Sequence, residues 1–475
     1  MPHHPLYDKL KEIVGEQNVS DEEHVLIAYS RDASPLPPHK PDIVVRPKSV
    51  DEVVSIVQLA NETKTPVMAT GGRVSMCGAC LPLKGGIMID MTRMNKVLDI
   101  DEDRLVVEAE AGITWANLLY EVDKRGYKLG YRGPYSGHAA TIGGSISCNS
   151  TGLGGAKWGQ APDSVVSLEV VLPTGEVLET GTAVNPYAKR FARYCFGPDL
   201  TGLFLGDHGI LGVKTKVALK VYPKPEAVLY GCFGYKDLES CARAFYQIQR
   251  TGLAEDLVIL CNRKSIEYIL PDAATAFTGI EALFVYVIEA ETQKIGEAIK
   301  EYLDSIAVKH GGIDLGTMFP EMFWNAKYEM ITPLFEWGPE WAGSCHLLET
   351  TRIVEATKKS VELFKKYKFD KFGIKYIITA MCAGRTVCVF TAHPYFSSLD
   401  KKQREVVLKY WEERKREVIK YGGCFYWTGV GLYPIVVELL RKEWWNVLVK
   451  IKKALDPNCI MNPGAFKILG DVYEA

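Results

Sequence analysis

Three stretches of the chain offer backbone amides with few side chains in the way: TGGRVS (70–75), ATIGGSISCNS (140–150) and GDHGILG (206–212). Consecutive N–H groups freed of side-chain bulk can form a nest that holds a phosphate without a helix. Thr141, Ser145, Ser147 and Asn149 add small polar groups, Ser75 a hydroxyl and Arg73 a positive charge. Any one of these loops alone reads as an ordinary glycine turn. Three within one α/β region point to a large phosphorylated ligand. The segment 128–159, which contains the second loop, has nine glycines, four serines, three basic residues and no acidic one.

A second set is polar and aromatic: His346, Arg385, His393, Tyr395, Tyr426 and Trp427. Oxidising an alcohol by hydride transfer needs a base near the hydroxyl and a group that orients the substrate. His393 or His346 could be the base, and Arg385 could hold a carboxylate bidentately. Tyr426 and Trp427 suggest instead a phenolic or aromatic substrate stacked beside them. Each also has a plain structural reading, as a hydrogen-bonded histidine, a surface ion pair or a core aromatic.

The twelve cysteines contain one C-x-x-C, Cys77 and Cys80, with no second pair at zinc spacing and no run fit for an iron–sulfur cluster. They read as reduced, small hydrophobes. No metal site is expected. The formal charge of −2 provides no basic excess for nucleic acid. No apolar run reaches 18 residues, and the charged N-terminus does not read as a signal peptide, so the expectation is a cytoplasmic protein with no membrane span.

The elements that must position these groups follow from periodicity. PDIVVRP (41–47) reads as a buried strand, and Ser49 with Glu52 as a capping box opening a helix with Val53, Ile56, Val57 and Ala60 on one face. PVMAT (66–70) and IMIDM (87–91) read as strands flanking the first loop. That loop lies after a helix and before a strand, which argues against a nicotinamide Rossmann domain and a P-loop. Pro223 and Pro225 mark a boundary. From 226 to 420 the texture is α+β, with strands such as ALFVYVIEA and VCVFTAH. A charged helix over 401–421 turns Val406, Val407, Tyr410 and Val418 inward, and a later helix has a stripe of Trp444, Trp445, Val447, Leu448 and Ile451.

PDIVVRPKSVDEVVSIVQLANETKTPVMATGGRVSMCG, ATIGGSISCNSTG, DSVVSLEVVLPTGEVLETG and DLTGLFLGDHGILGVKTKVALKVYPKPEA resemble, in order, segments of the FAD-binding domain of the vanillyl-alcohol oxidase / p-cresol methylhydroxylase (PCMH-type) flavoproteins. The nearest branch is similar to the glycolate oxidase D-subunit and D-lactate dehydrogenase group, whose C-terminal signature KKALDPNCIMNPGAF resembles. The resemblance implies an α+β fold: a two-subdomain FAD-binding domain (1–225), a cap or substrate domain (226–420) and a C-terminal segment (421–475) returning to the first. It implies that FAD is held by Thr70, Gly71, Gly72, Arg73, Val74, Ser75 and Gly78, by Pro134, Ser136, Thr141, Gly143, Gly144, Ser147 and Asn149, and by Gly209, Ile210, Val213 and Asn462.

Arg73 stands where the family usually has a small residue, and His208 where it usually has glutamate. With no histidine in the first loop and no cysteine before Thr141, non-covalent FAD is expected, although His138 is close to the second loop. The hydroxy acid branch has a metal and substrate site of two strand histidines, at positions that fall here on Cys382 and Val389, and a later glutamate–histidine pair that falls near Trp427 and Thr428. The ligands are missing, so the fold transfers and the metal-assisted chemistry does not.

The leading expectation is therefore oxidation of a small hydroxy acid or alcohol by hydride transfer to flavin. Electrons would pass to an iron–sulfur or other acceptor subunit, within a homo-oligomer or hetero-complex. Two alternatives are oxidation of a phenolic compound, and a flavin-holding electron-transfer subunit.

Overall fold

The structure, a computed structural model, describes residues 3–465 apart from 276, 330, 331 and 440. The last ten residues of the expected C-terminal segment thus lie outside the described residues. A four-stranded sheet takes the order Val19–Ser20, Ile43–Val45, Ile87–Asp90, Val67–Thr70, and its last three strands are parallel. Ile43, Val44 and Val45 are all buried, as expected of a strand covered on both faces. The helix Val50–Thr63 packs there through Val53, Ile56, Val57, Leu59 and Ala60. Ser49 Oγ accepts from Glu52 N, while Glu52 reaches back to Lys48 N rather than to Ser49.

The second sheet runs Val97–Asp101, Val106–Glu110, Val213–Pro223, Val165–Val171, Val177–Glu179, with Tyr127–Leu129 pairing the far end of the long strand. The chain leaves this sheet at Pro223 and enters a third at Ala227.

That third sheet is antiparallel and eight-stranded. Its path is Ile313–Asp314, Ala227–Tyr235, Ala282–Ala290, Asp256–Leu260, Lys375–Cys382, Val387–Phe396, Glu340–Trp341, and His346–Glu349 also pairs Val387–Phe396. Both of its faces are used. Leu257, Ile259, Phe284, Tyr286, Phe390 and Ala392 pack among helices such as Leu238–Thr251, Ile353–Lys366 and Lys401–Lys420. The alternate residues, Val258, Leu283, Val285, Val389, Thr391 and His393, face an internal cavity instead. This explains why every residue of Ala282–Ala290 is buried, apolar but for Glu289, which pairs with Lys128 and Arg132.

The C-terminal helix Lys442–Leu455 departs from the expected stripe. Trp445 is buried, but Trp444 and Val447 are exposed, and the inward group is Lys452. Its ammonium pairs with Asp456 and donates to the carbonyls of Ile210 at 2.7 Å and Met461 at 2.8 Å. Beyond it the chain returns to the first sheet, where Val67 N donates to Ile460 O and Asn462 N to Val67 O, both at 2.7 Å. No helix among the described residues is long and apolar enough to cross a membrane.

Candidate active site

Two hollows meet where the N-terminal sheets face the eight-stranded sheet. The first is a narrow cleft of about 150 Å³ walled largely by glycine and hydroxyl residues. The strand Val67–Thr70 ends at this cleft, and the first loop lies against the second. A Cβ on Gly71 would meet Thr141 Oγ1 at 2.1 Å, and one on Gly72 would meet Ala139 O at 1.9 Å. The two loops touch main chain to main chain because those positions lack side chains.

The second loop holds a short helix, Ile142–Ser147, where its glycines and serines had suggested only a nest. Thr141 caps it by accepting from Gly144 N at 3.3 Å. Gly209, at φ +71°, has open space where a side chain would project.

Of the residues expected to hold FAD, Thr70, Gly71, Gly72, Arg73, Val74, Ser75, Pro134, Ser136, Thr141, Gly143, Gly144, Ser147 and Gly209 line this cleft. Five do not. Gly78 packs against Leu36, Leu81 and Val430. Asn149 abuts Gly206 and gives its carbonyl to Gln160. Ile210 and Val213 are core residues, the latter paired with Val171. Asn462 donates its amide to His208 O at 2.8 Å. These five brace the wall from behind.

The sequence reading also missed Cys80, Met91, Cys148 and Lys214 on the wall. Cys80 drew notice only as half of a C-x-x-C and Cys148 only as part of the second loop, and spatial adjacency brings all four there. His208 lies on the wall too, with Nδ1 3.7 Å from Cys148 Sγ, and burial pushes its imidazolium pKa down to about 3.

The second hollow is a cavity of about 450 Å³. Six residues, Arg73, Val74, Pro134, Ser136, Ser150 and Trp427, belong to both walls and mark the junction. Beyond it the lining is mostly aliphatic and aromatic, from Val258, Leu283, Phe319 and Phe323 to Trp341 and Tyr395.

One end is polar. His393 Nδ1 lies 3.9 Å from Cys345 Sγ, and that thiol faces the Tyr426 hydroxyl, which in turn faces Thr151. Trp341 stands edge-on to His393 at 4.9 Å and stacks on Tyr395 at 5.6 Å. Burial, aided by the charge of Arg414, brings the His393 imidazolium pKa down to about 3, so the ring is neutral near pH 7. His138 lines the cavity rather than the cleft, 5.4 Å from the Tyr328 ring.

Two expected catalytic residues stand elsewhere. His346 opens the strand His346–Glu349 opposite Phe390, a residue of the helix-side core, and its side chain takes that face rather than the cavity. There Nδ1 bonds Ser344 O at 2.7 Å and Nε2 meets Tyr421 Oη at 3.0 Å. It is a core histidine with both nitrogens occupied. Arg385 is exposed in the turn after Gly384, packed by Gly252, and clamps nothing in the cavity. The positions that metal and substrate ligands would occupy in the hydroxy acid branch include Val389 and Trp427, both on the cavity wall as apolar surface.

The FAD binding domain model matches residues 41–181, and the model for the FAD linked oxidases, C-terminal domain, matches 224–466. The chain belongs to the FAD-linked oxidases. Over 96% of its length this FAD-linked oxidase is 28% identical to the glycolate oxidase subunit GlcD of Bacillus subtilis (strain 168), of which the match covers 95%. It is 26% identical to a D-lactate dehydrogenase of Anaerostipes hadrus, with 90% of this chain and 89% of that protein covered. Its fold is that of p-cresol methylhydroxylase solved with substrate bound (TM-score 0.83, 18% identity, 97% and 96% covered). The 4-ethylphenol oxidase of Gulosibacter chungangensis, solved with isoeugenol, has the same fold (TM-score 0.81, 20% identity, 97% and 96% covered).

The FAD-linked oxidase is an enzyme with FAD as cofactor, and the cleft fits that group. Its wall has main chain for close approach, and Thr70 Oγ1 is buried there with no hydrogen-bond partner. Arg73, in a left-handed conformation at φ +53°, lies 3.9 Å over the Tyr29 ring beside the cleft and can face an anionic bridge.

Proposed function

We propose that this FAD-linked oxidase takes two electrons from a phenolic or other aromatic donor held in the cavity, rather than from a small hydroxy acid. The observation that carries this reading is the cavity lining, which is mostly apolar and aromatic and, among the described residues, includes no carboxylate and not Arg385. Among the described residues its one strong cation is Arg73, at the junction.

FAD held in the cleft would supply the hydride acceptor. Thirteen wall residues, from Thr70–Ser75 through Thr141–Ser147 to Gly209, would hold it without a covalent bond. Oxidising a 4-alkylphenol takes a hydride from the benzylic carbon of the para substituent and a proton, released to solvent, from the oxygen, which leaves a quinone methide. An ionised oxygen pushes electron density through the ring toward the carbon that loses hydride. Tyr426 and Cys345 form the polar end that receives this oxygen. His393, neutral and a weak base, orients the thiol rather than taking the proton. The stacked rings of Tyr426 and Trp427 hold the aromatic body beside the junction. Electrons then leave to a separate acceptor, since the sequence has no cysteine run for an iron–sulfur cluster.

A second reading, oxidation of a hydroxy acid, is favoured by Arg73, whose guanidinium at the junction could bind a carboxylate. Anaerobic mixing decides between them. Bleaching of the flavin by 4-alkylphenols or benzylic alcohols supports the aromatic reading, whereas bleaching by lactate or glycolate alone overturns it. If no donor bleaches it, the chain is a flavin-holding electron-transfer subunit.

A further inference from the structure

The cleft wall has two cations and, among the described residues, no carboxylate. Arg73 is one, at the junction with the cavity. Lys214 is the other, and it lines the cleft alone, as do Ala69, Met91, Ala111 and Gly212. His208 adds no charge to this wall near pH 7, because burial keeps its imidazole neutral.

A lysine is an unfavourable residue for this position. Val213–Pro223 lies inside its sheet, between Val106–Glu110 and Val165–Val171, and buries Val213, Val217, Leu219 and Val221 in the core. Lys214 is buried with them, and its ammonium pairs with Asp207, its one acceptor among the described residues. The register against Val165–Val171 shifts between Lys214 and Lys216, which marks a bulge at Thr215. A bulge re-aims side chains. Lys216 runs to Glu169 at 2.7 Å and stays partly exposed, while Lys214 is turned inward.

Asp207 is not on the cleft wall; it holds the ammonium from behind. Its Oδ1 also accepts from Gly209 N at 3.1 Å and its Oδ2 from Leu211 N at 3.4 Å. The carboxylate is therefore shared among two amides and the ammonium, while the ammonium has two further N–H groups to offer. A buried pair that served the core alone could be exchanged for aliphatic side chains without loss. A cation presented on a cleft wall, with its carboxylate set behind, instead favours an anion in that cleft.

We propose that Lys214, anchored by Asp207, is a cofactor-binding residue whose ammonium meets the diphosphate of FAD. The donor cavity opens on the cleft at Arg73 and Trp427, so the stretch of wall beyond that junction, where Lys214 stands, receives the part of FAD away from its reacting ring. Charge pairing thus adds to the main-chain contacts of the glycine loops. This role is independent of which donor the cavity takes.

The test uses the full chain produced without riboflavin and two probes: ADP, which has the diphosphate and adenosine, and lumiflavin, which has only the ring. The double variant Lys214→Met with Asp207→Asn removes both charges together. Its ADP affinity, measured by calorimetry, should fall by about tenfold to a hundredfold, the worth of a hydrogen bond to a charged group, with lumiflavin affinity unchanged. Asp207→Asn alone removes the rival carboxylate and should tighten ADP binding, and it decides the matter if the double variant does not fold. Unchanged ADP affinity in the double variant, weaker ADP binding in Asp207→Asn, or equal weakening of both probes would mark a purely structural pair and overturn the proposal. Failure of the wild-type chain to bind ADP overturns it as well.

Discussion

The rings of Tyr426 and Trp427 run parallel, with centroids 5.6 Å apart and planes 8° from each other. Tyr426 faces the cavity alone, whereas Trp427 faces both cavity and cleft, and its Nε1–H has no hydrogen-bond partner. The pair thus links the place where a donor would sit to the place that holds the cofactor.

Tyr426→Phe keeps that stack and removes one hydroxyl. With phenolic donors, kcat/KM is expected to fall by about tenfold to a hundredfold, the worth of one hydrogen bond to a charged oxygen. The visible spectrum of the flavin should not change. Stopped-flow reduction measures the first, and absorbance before mixing measures the second.

Gly72→Ala should abolish flavin retention, because the added methyl would lie 1.9 Å from Ala139 O and force the two loops apart. Gly126→Ala is the control. Gly126 also has positive φ, at +78°, but has nothing within reach of a Cβ. It should cost only about 1 kcal/mol and leave the protein yellow.

Much of this architecture can be read along the chain. Ser49 and the apolar face from Val53 to Ala60 announce a capped helix, and the glycine loops announce main chain that something must approach. What cannot be read is which face a strand turns to which neighbour. His346 and His393 look equivalent until strand pairing sets His346 opposite Phe390, on the helix side, and leaves His393 with the cavity-facing residues. Arg385 sits in a hairpin turn, and nothing local reveals that the turn points outward. Lys452 misled for another reason: its charge hides a buried position, since the partner Asp456 and two carbonyls exist only in the folded chain.

Lys452→Met should destabilise the protein by about 3–5 kcal/mol, as it leaves the Asp456 carboxylate in the interior without its cation. The double variant with Asp456→Asn should recover part of that loss. Thermal melts of the flavin-loaded protein, with both variants side by side, provide the check.

Asp256 ties stability to pH. Burial raises its carboxyl to about 7 although Leu257 N–H donates to Oδ1 at 3.0 Å. The folded chain therefore holds this proton where the unfolded chain has lost it. The stabilising contribution is complete below about pH 4 and falls as pH rises toward 7, by up to about 1.4 kcal/mol per unit. Asp256→Asn should flatten this part of the stability profile and gain on the wild type as pH rises. Denaturant melts at pH 5 and pH 8 measure it, and equal differences at the two values would refute the assignment.

The hydrogen bonds from Val67 to Ile460 and Asn462 have a consequence for biogenesis. Val67–Thr70 is the border strand of its sheet, and Thr70 opens the coenzyme loop. A nascent chain emerging from the ribosome leaves that border uncovered until residues 460–462 arrive, however early the rest of the lobe has collapsed. A chain truncated before residue 460 would leave the Val67 main-chain groups at this β-edge without those partners, next to the loop that opens at Thr70.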